Sequence, residues 1–238
     1  MASEVTSFDP AKYKETTRQQ WQAAAAAWHR WGPTLDEWLA IPTRVMLDLA
    51  QTGPGQRVLD VAAGAGGQSI AAARRVGPAG SVLATDISAN ILSFARDAAL
   101  AAHVHNIETH VADGEDIDLP EEFFDVVISR VGLIYFPDQH KALTGMRRVL
   151  KTGGRLGAIT YSTAENNKFY AFSRKYFEKA TGRKVPTEPY RVLLQREAIP
   201  KPIDITLTKY ADGNIFLTEI RFIRDEKLES FRYDPNYK

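Results

Sequence analysis

The run Val58-Leu59-Asp60-Val61-Ala62-Ala63-Gly64-Ala65-Gly66-Gly67 begins apolar, passes through one acid and ends in small residues. An apolar run of this length bounded by glycine reads as a buried parallel strand, and Ile70, Ala71, Ala72 and Ala73 beyond it read as a helix. The glycines therefore fall on a strand-to-helix turn. There a backbone with little side chain lets a ligand come close, and the first helical turn offers N–H groups with no partner in the helix. Such a turn suits a nucleotide-type ligand, although plain tight turns in α/β proteins look the same.

Outward from this stretch, strands and helices alternate. Strand one spans about Gln56 to Val61, and the helix after Gly66 ends at the breaker Gly77-Pro78-Ala79-Gly80. Ser81 to Thr85 forms strand two and runs into Asp86, with Ser88 as N-cap of a helix from Ala89 to Ala102. Ile107 to Ala112 is strand three, ending at Asp113-Gly114, and Phe124 to Ser129 is strand four. Asp138 caps a helix from Gln139 to Leu150, and Gly153-Gly154 turn the chain into strand five, Arg155 to Tyr161. Repeated βα units with crossover helices require a parallel sheet covered on both faces.

Residues 1–52 precede this core and residues 166–238 follow it, leaving 53–165 as the ligand-binding core. Ahead of the core, Ala11 to Arg30 is helical, with Trp21 and Trp28 two turns apart on one face. Gly32-Pro33 ends it, and a second helix runs from about Thr34 to Ala50, with a break at Pro42. Together they form a helical cap or lid. After the core, Asn167 to Ala180 is an amphipathic helix rich in Phe and Tyr. Ile203, Ile205 and Leu207 alternate with polar residues, and Asp212-Gly213 supplies turn chemistry before Ile215 to Ile223, so an antiparallel pair is expected at the sheet edge. The tail from Asp225 to Lys238 has no assignable element.

Composition narrows the function classes. The 238 residues suit one medium domain with an added cap, and a formal net charge of +1 gives no bulk attraction to nucleic acid or an acidic membrane. The absence of cysteine removes disulfides, thiolate metal sites and cysteine nucleophiles. A polar N-terminus and the lack of any segment long enough to span a membrane lead to the expectation of a cytoplasmic protein. Oligomeric state stays open on sequence alone.

Ligands of open parallel sheets bind outside the carboxyl ends of the strands, where Asp60, Asp86, Asp113 and Ser129 fall. Asp86, on strand two beyond the glycine turn, has the spacing at which a carboxylate accepts hydrogen bonds from ribose hydroxyls. Asp113 beside Gly114 is placed to reach an exocyclic amine. Any one of them could be a solvated loop acid; their recurrence on consecutive strands favours a common crevice.

The glycine turn after Asp60, Ala84-Thr85-Asp86-Ile87-Ser88, Asp113-Gly114-Glu115, Ser129-Arg130 and Val149-Leu150-Lys151-Thr152-Gly153-Gly154 resemble class I S-adenosylmethionine-dependent methyltransferases. The similarity is closest to the small-molecule branch containing the ubiquinone and menaquinone biosynthesis methyltransferases. That resemblance implies a Rossmann-like fold, with a seven-stranded, mostly parallel sheet and an antiparallel edge hairpin. It also implies S-adenosyl-L-methionine as cofactor and a small-molecule methyl acceptor. Asp60 and the turn containing Ala62, Gly64 and Gly66 would hold the methionine part and Asp86 the ribose. Ile87 would cover one adenine face, Asp113, Gly114 and the adjoining Glu115 the adenine edge, and Ser129 with Arg130 the floor beside the methyl group.

Ala62 stands where the family has its first glycine, which is tolerated only if φ there is negative. Methyl transfer needs alignment, desolvation and, for some acceptors, a base. His29, His140, Tyr13 and Tyr135 are candidate bases; His140 follows the end of strand four, where the methyl should sit. No metal site is expected, since Asp138 and His140 have no third partner. Trp28 and Tyr135 are candidates for a lid or substrate wall, where an aromatic face favours a sulfonium charge, with core packing as the alternative. Two other functions remain open on sequence alone: an NAD-dependent Rossmann oxidoreductase, and a methyltransferase-like binding protein without turnover.

Overall fold

The computed structural model describes residues 9–161, 204–209, 215–224 and 227–232, in two compact units divided between Thr160 and Tyr161. In the first unit, helices α1 (Pro10–Arg30), α2 (Gly32–Trp38) and α3 (Ala40–Leu49) precede strand β1 (Arg57–Val61). Then follow α4 (Gly67–Val76), β2 (Ser81–Asp86), α5 (Ala89–Ala101), β3 (Ile107–Val111), β4 (Phe124–Arg130), a short 3-10 turn (Leu133–Tyr135), α6 (Gln139–Val149) and β5 (Leu150–Ile159). All five strands are parallel, in the order β3-β2-β1-β4-β5. The direction of build-up reverses at β1, which lies between β2 and β4, and this switch point is where open sheets bind ligands.

Alternation along the strands fills two cores. Val58, Val82, Val126 and Ile128 join Met46, Leu47 and Ala50 of α3 and its end and Ala72, Ala73 and Val76 of α4. Leu59, Val61, Phe124 and Val127 pack with Ala142, Met146 and Val149 of α6. Burial on both faces is what a parallel sheet under crossover helices demands. The fit over β5 is close, since a Cβ on Gly157 would lie 3.1 Å from Met46 and from Ala50.

Local chemistry sets the element ends. Asp9 accepts from the N–H groups of Ala11 and Lys12, Ser88 Oγ from Ile91 and Asp138 from Lys141, capping α1, α5 and α6. Helix α4 closes at Gly77, with φ +67°. The expected helix from Thr34 to Ala50 is instead two helices. The break falls at Leu39, and Pro42 lies in the first turn of α3, where its missing N–H removes no intrahelical bond. Helix α1 ends at Arg30, just ahead of Gly32-Pro33 as expected, and the same pair opens α2, where Pro33 in the first turn likewise removes no intrahelical bond. Strand β5 begins at Leu150, ahead of the Gly153-Gly154 pair, with a register shift against β4 between Phe124 and Val126.

In the second unit, β6 (Asp204–Lys209) pairs antiparallel with β7 (Ile215–Arg224), which pairs antiparallel with β8 (Lys227–Arg232). The predicted hairpin partners are thus joined by a third strand drawn from the tail. The helix expected from Asn167 to Ala180 and the Asp212-Gly213 turn lie outside the described residues. No helix among the described residues is long and apolar enough to cross a membrane.

Candidate active site

The turn after β1 is bent sharply. Ala62, Gly64 and Gly66 have φ of +60°, +57° and +87°, so three residues in five lie in the left-handed region. For Ala62 this overturns the expectation of a negative φ. Its methyl is accommodated by the segment after β4: a Cβ on Gly132 would lie 2.6 Å from the Ala62 Cβ and 2.7 Å from Ser129 Oγ. Gly132 therefore makes room for Ala62, and the amide of Ala63 is fixed by donating to the Thr85 carbonyl at 2.8 Å. A second strained position is Val131, with φ +62°, whose N–H donates to the Ile159 carbonyl at 2.8 Å. Left-handed backbone at a β-branched residue costs about 1–3 kcal/mol and clusters where ligands are handled.

The three acids behave differently. Asp60 is fully buried, accepting from Ser69 Oγ at 2.5 Å and from Gln68 Nε2 at 3.3 Å beneath the turn. Burial pushes its carboxyl up to about 6, opposed by those two hydrogen bonds and by the Arg130 charge. Asp86 is half-buried at the end of β2 and accepts from the N–H of Gly64 at 3.0 Å and of Ser88 at 3.0 Å. Its pKa is raised by desolvation, which outweighs the backbone donors. Asp113, half-buried, accepts from the Glu115 N–H at 2.9 Å, while the buried Glu115 accepts from the Asp138 N–H at 2.8 Å. Asp86 thus ties the turn to β2, and Asp113 faces the helix that covers the site.

That helix is α1. Lys14 Nζ lies 2.6 Å from Asp113 Oδ2 and 2.6 Å from Glu115 Oε2. Burial alone would lower the Lys14 pKa, but the two carboxylates outweigh it and raise it. One turn pair further, Gln22 Oε1 accepts from Ser88 Oγ at 2.7 Å and from the Asn90 N–H at 2.9 Å, docking α1 on the start of α5. Trp28 Nε1 would be 3.6 Å from a Cβ on Gly64. Trp21 meets Trp28 and Tyr135 edge-to-face, with centroids 5.0 and 5.3 Å apart. Residues 14, 21 and 28 recur at seven-residue spacing, which puts Lys14 on the same face of α1 as the two tryptophans and is the one sequence signal pointing to it.

Other residues complete the rim. Ile87 lines a pocket of about 470 Å³ with Pro10, Ala11, Lys14, Glu15 and Arg18. Gly114 lies against Phe136, whose ring would overlap any Cβ there. Ser129 Oγ is fully buried with no hydrogen-bond partner, against Gly132 below the turn. Arg130 donates to Asp36 Oδ1 at 3.3 Å and to Thr43 Oγ1 at 3.2 Å. The Asp36 carboxylate in turn presses on Gly67, the first residue of α4, so closely that a Cβ would overlap it. His140 stands in the first turn of α6, half-buried, with Nε2 enclosed and without a hydrogen-bond partner. Among the described residues no three metal-capable side chains gather.

A parallel sheet that reverses at β1, a left-handed glycine turn and carboxylates at the ends of β2 and beyond β3 define the S-adenosylmethionine-dependent methyltransferase class of α/β fold. A SAM-dependent methyltransferase from Aquifex aeolicus shares that fold, with a TM-score of 0.53 and 20% identity over 87% of this chain and 96% of its own. The chain belongs to the ubiE/COQ5 methyltransferase family, whose pattern it matches over residues 38–191. The ubiquinone/menaquinone biosynthesis C-methyltransferase UbiE of Stutzerimonas stutzeri is 36% identical over 137 residues, 55% of this chain and 54% of that protein. UbiE of Pseudomonas entomophila is 35% identical over 158 residues, covering 64% and 62% respectively. The chain spans about half to three-fifths of the length of these relatives.

Proposed function

We propose that the protein is an S-adenosylmethionine-dependent methyltransferase that carries a methyl group to a small-molecule acceptor by direct in-line transfer. The observation that carries this reading is the joining of the left-handed glycine turn to Asp86 through the Gly64 N–H, with Asp113 beyond the next strand. The donor set fits the cofactor: a half-buried carboxylate for a ribose diol, an acid beside a glycine for an amine edge, and small residues where backbone must be approached. When bound, S-adenosylmethionine supplies a methyl already activated on a sulfonium.

The chain's own residues then bind and orient. Asp86 accepts from the ribose hydroxyls while its backbone donors hold it in place, and Ile87 offers its apolar face to the adenine. Asp113 and Gly114 receive the adenine edge, with Glu115 fixing the loop through the Asp138 N–H. Ala62, Gly64 and Gly66 let the methionine part lie on the backbone. Asp60 acts from below, holding Gln68 and Ser69 at the start of α4. Ser129 and Arg130 close the floor. Trp28 and Tyr135, linked through Trp21, give an aromatic wall that favours positive charge and excludes water. His140 is the candidate general base. Helices α1 and α2 serve as the lid.

The test is incubation with S-adenosylmethionine and a panel of small phenol, enol, amine and activated-carbon acceptors, read by mass spectrometry. The expected outcome is a product heavier by one methyl in place of hydrogen, formed with an equal amount of S-adenosylhomocysteine. Tight S-adenosylhomocysteine binding with no product across the panel would contradict turnover and leave a binding protein.

A further inference from the structure

Resting on the assignment of Asp113 and the start of α4 to the cofactor, we infer that α1 and α2 gate the site by competing with the cofactor through side chains that stand where its adenine amine and its carboxylate would bind. Lys14 places a donor nitrogen on Asp113 Oδ2, the edge that an adenine amine would take, and the other Asp113 oxygen already accepts from the Glu115 N–H. Asp36 places a carboxylate against Gly67, with Arg130 at 3.3 Å. A helix N-terminus beside a guanidinium is the setting that an amino-acid carboxylate would take. Trp28 covers Gly64 between these two ends. The pocket beside Ile87 is lined by α1 and Ile87, and no residue of the glycine turn contributes to it. With both helices seated, the amine-binding and carboxylate-binding ends of the site are filled by the chain itself.

Those helices are built to lift. Of the 21 residues of α1 only Thr17 and Ala25 are buried, and α2 buries none. An element with so little buried apolar surface opens at low free-energy cost. What seats them is mostly polar: Lys14 on Asp113 and Glu115, Gln22 on Ser88 and Asn90, and Asp36 on Arg130, with two aromatic contacts of α1, Trp21 on Tyr135 and His29 on Phe94, beside them. Each ion pair is partly open to solvent and individually weak, so the competition is graded. Entry of the cofactor exchanges the Lys14 and Asp36 contacts for those of its own amine and carboxylate, while the Trp21 contacts with Trp28 and Tyr135 keep the aromatic wall in place. A latch that closes onto bound cofactor through the same residues would give effects of opposite sign.

The experiment is calorimetric titration of the full chain with S-adenosylhomocysteine, comparing wild type with Lys14→Met, Asp36→Asn and the double variant. An Arg75→Gln variant, which breaks the ion pair with Asp48 away from the site, is the control. Each single substitution is expected to tighten binding about 3- to 10-fold and the double about 10- to 100-fold, with the control within about 2-fold. Hydrogen exchange on the wild type gives an independent readout: the ligand should speed exchange of the α2 amides, and a latch would slow it. Unchanged or weaker binding in both single variants, each folded by circular dichroism, overturns the gate. Absence of binding in wild type as well would remove the cofactor assignment itself.

Discussion

Two groups of helices cover this molecule and are held by different forces. Helices α3 and α4 bury Met46, Leu47, Ala72, Ala73 and Val76 in a continuous apolar layer against β1, β2 and β4. Helix α1 meets its neighbours through Lys14, Gln22, Trp21, Trp28 and a stacked His29–Phe94 pair with centroids 4.6 Å apart. The contrast separates scaffold from cover. Apolar burial fixes the strands at whose ends Asp86 and Asp113 lie, whereas α1 is held by polar and aromatic contacts. Substitutions under the turn should therefore read out as global stability, and substitutions at its rim as ligand affinity.

Asp60 gives the largest expected effect. With its carboxyl pushed up to about 6 by burial, the folded chain keeps a proton that the unfolded chain has lost between about pH 4 and pH 6. Stability then falls as pH rises through that window, by roughly 3 kcal/mol in all. Urea unfolding of wild type and Asp60→Asn from pH 4 to 7 should show this slope in wild type and a flatter one in the variant; equal slopes would place the titration elsewhere. Next, Asp86→Asn should weaken S-adenosylhomocysteine binding about 100-fold, because hydrogen bonds to a charged acceptor contribute about 1.5–3 kcal/mol each. A loss under threefold by calorimetry would take the ribose role from Asp86.

Smaller effects probe how the turn is supported. Gly132→Ala should destabilise by about 1–3 kcal/mol, since its new methyl meets the Ala62 Cβ and Ser129 Oγ well inside van der Waals contact. Ala62→Gly should stabilise by up to about 1 kcal/mol by relieving the left-handed strain, and it should also soften the Gly132→Ala penalty in the double variant. Additive effects in thermal unfolding would show that the two positions are not coupled.

Much of the scaffold was legible because its signals are local. Val58, Leu59 and Val61 announce a strand buried on both faces, Gly77 a helix end, and Ser88 and Asp138 their caps through side chains acting within three residues. The strand-end positions Asp86 and Asp113 followed from the same strand boundaries. What was hidden is nonlocal. The φ of Ala62 depends on the space left by Gly132, a residue of another strand's end. Lys14 and Asp113 are separated by 99 positions, and no spacing rule brings them together. Asp36 reads as an exposed helix acid until α2 is set against Gly67. The break at Leu39 carries no local stop signal, Pro42 falling instead in the first turn of α3, and β8 lies in a charged, aromatic tail with no clean alternation.

The central claim is that the strand ends around the left-handed turn form a site for an adenosine carrying a charged sulfur. Parallel calorimetric titrations of the full chain with S-adenosylmethionine, S-adenosylhomocysteine and NAD test it most directly. Saturable one-to-one binding of the two sulfur compounds, with no heat from NAD, is the predicted result. Binding of NAD with neither sulfur compound bound would contradict it.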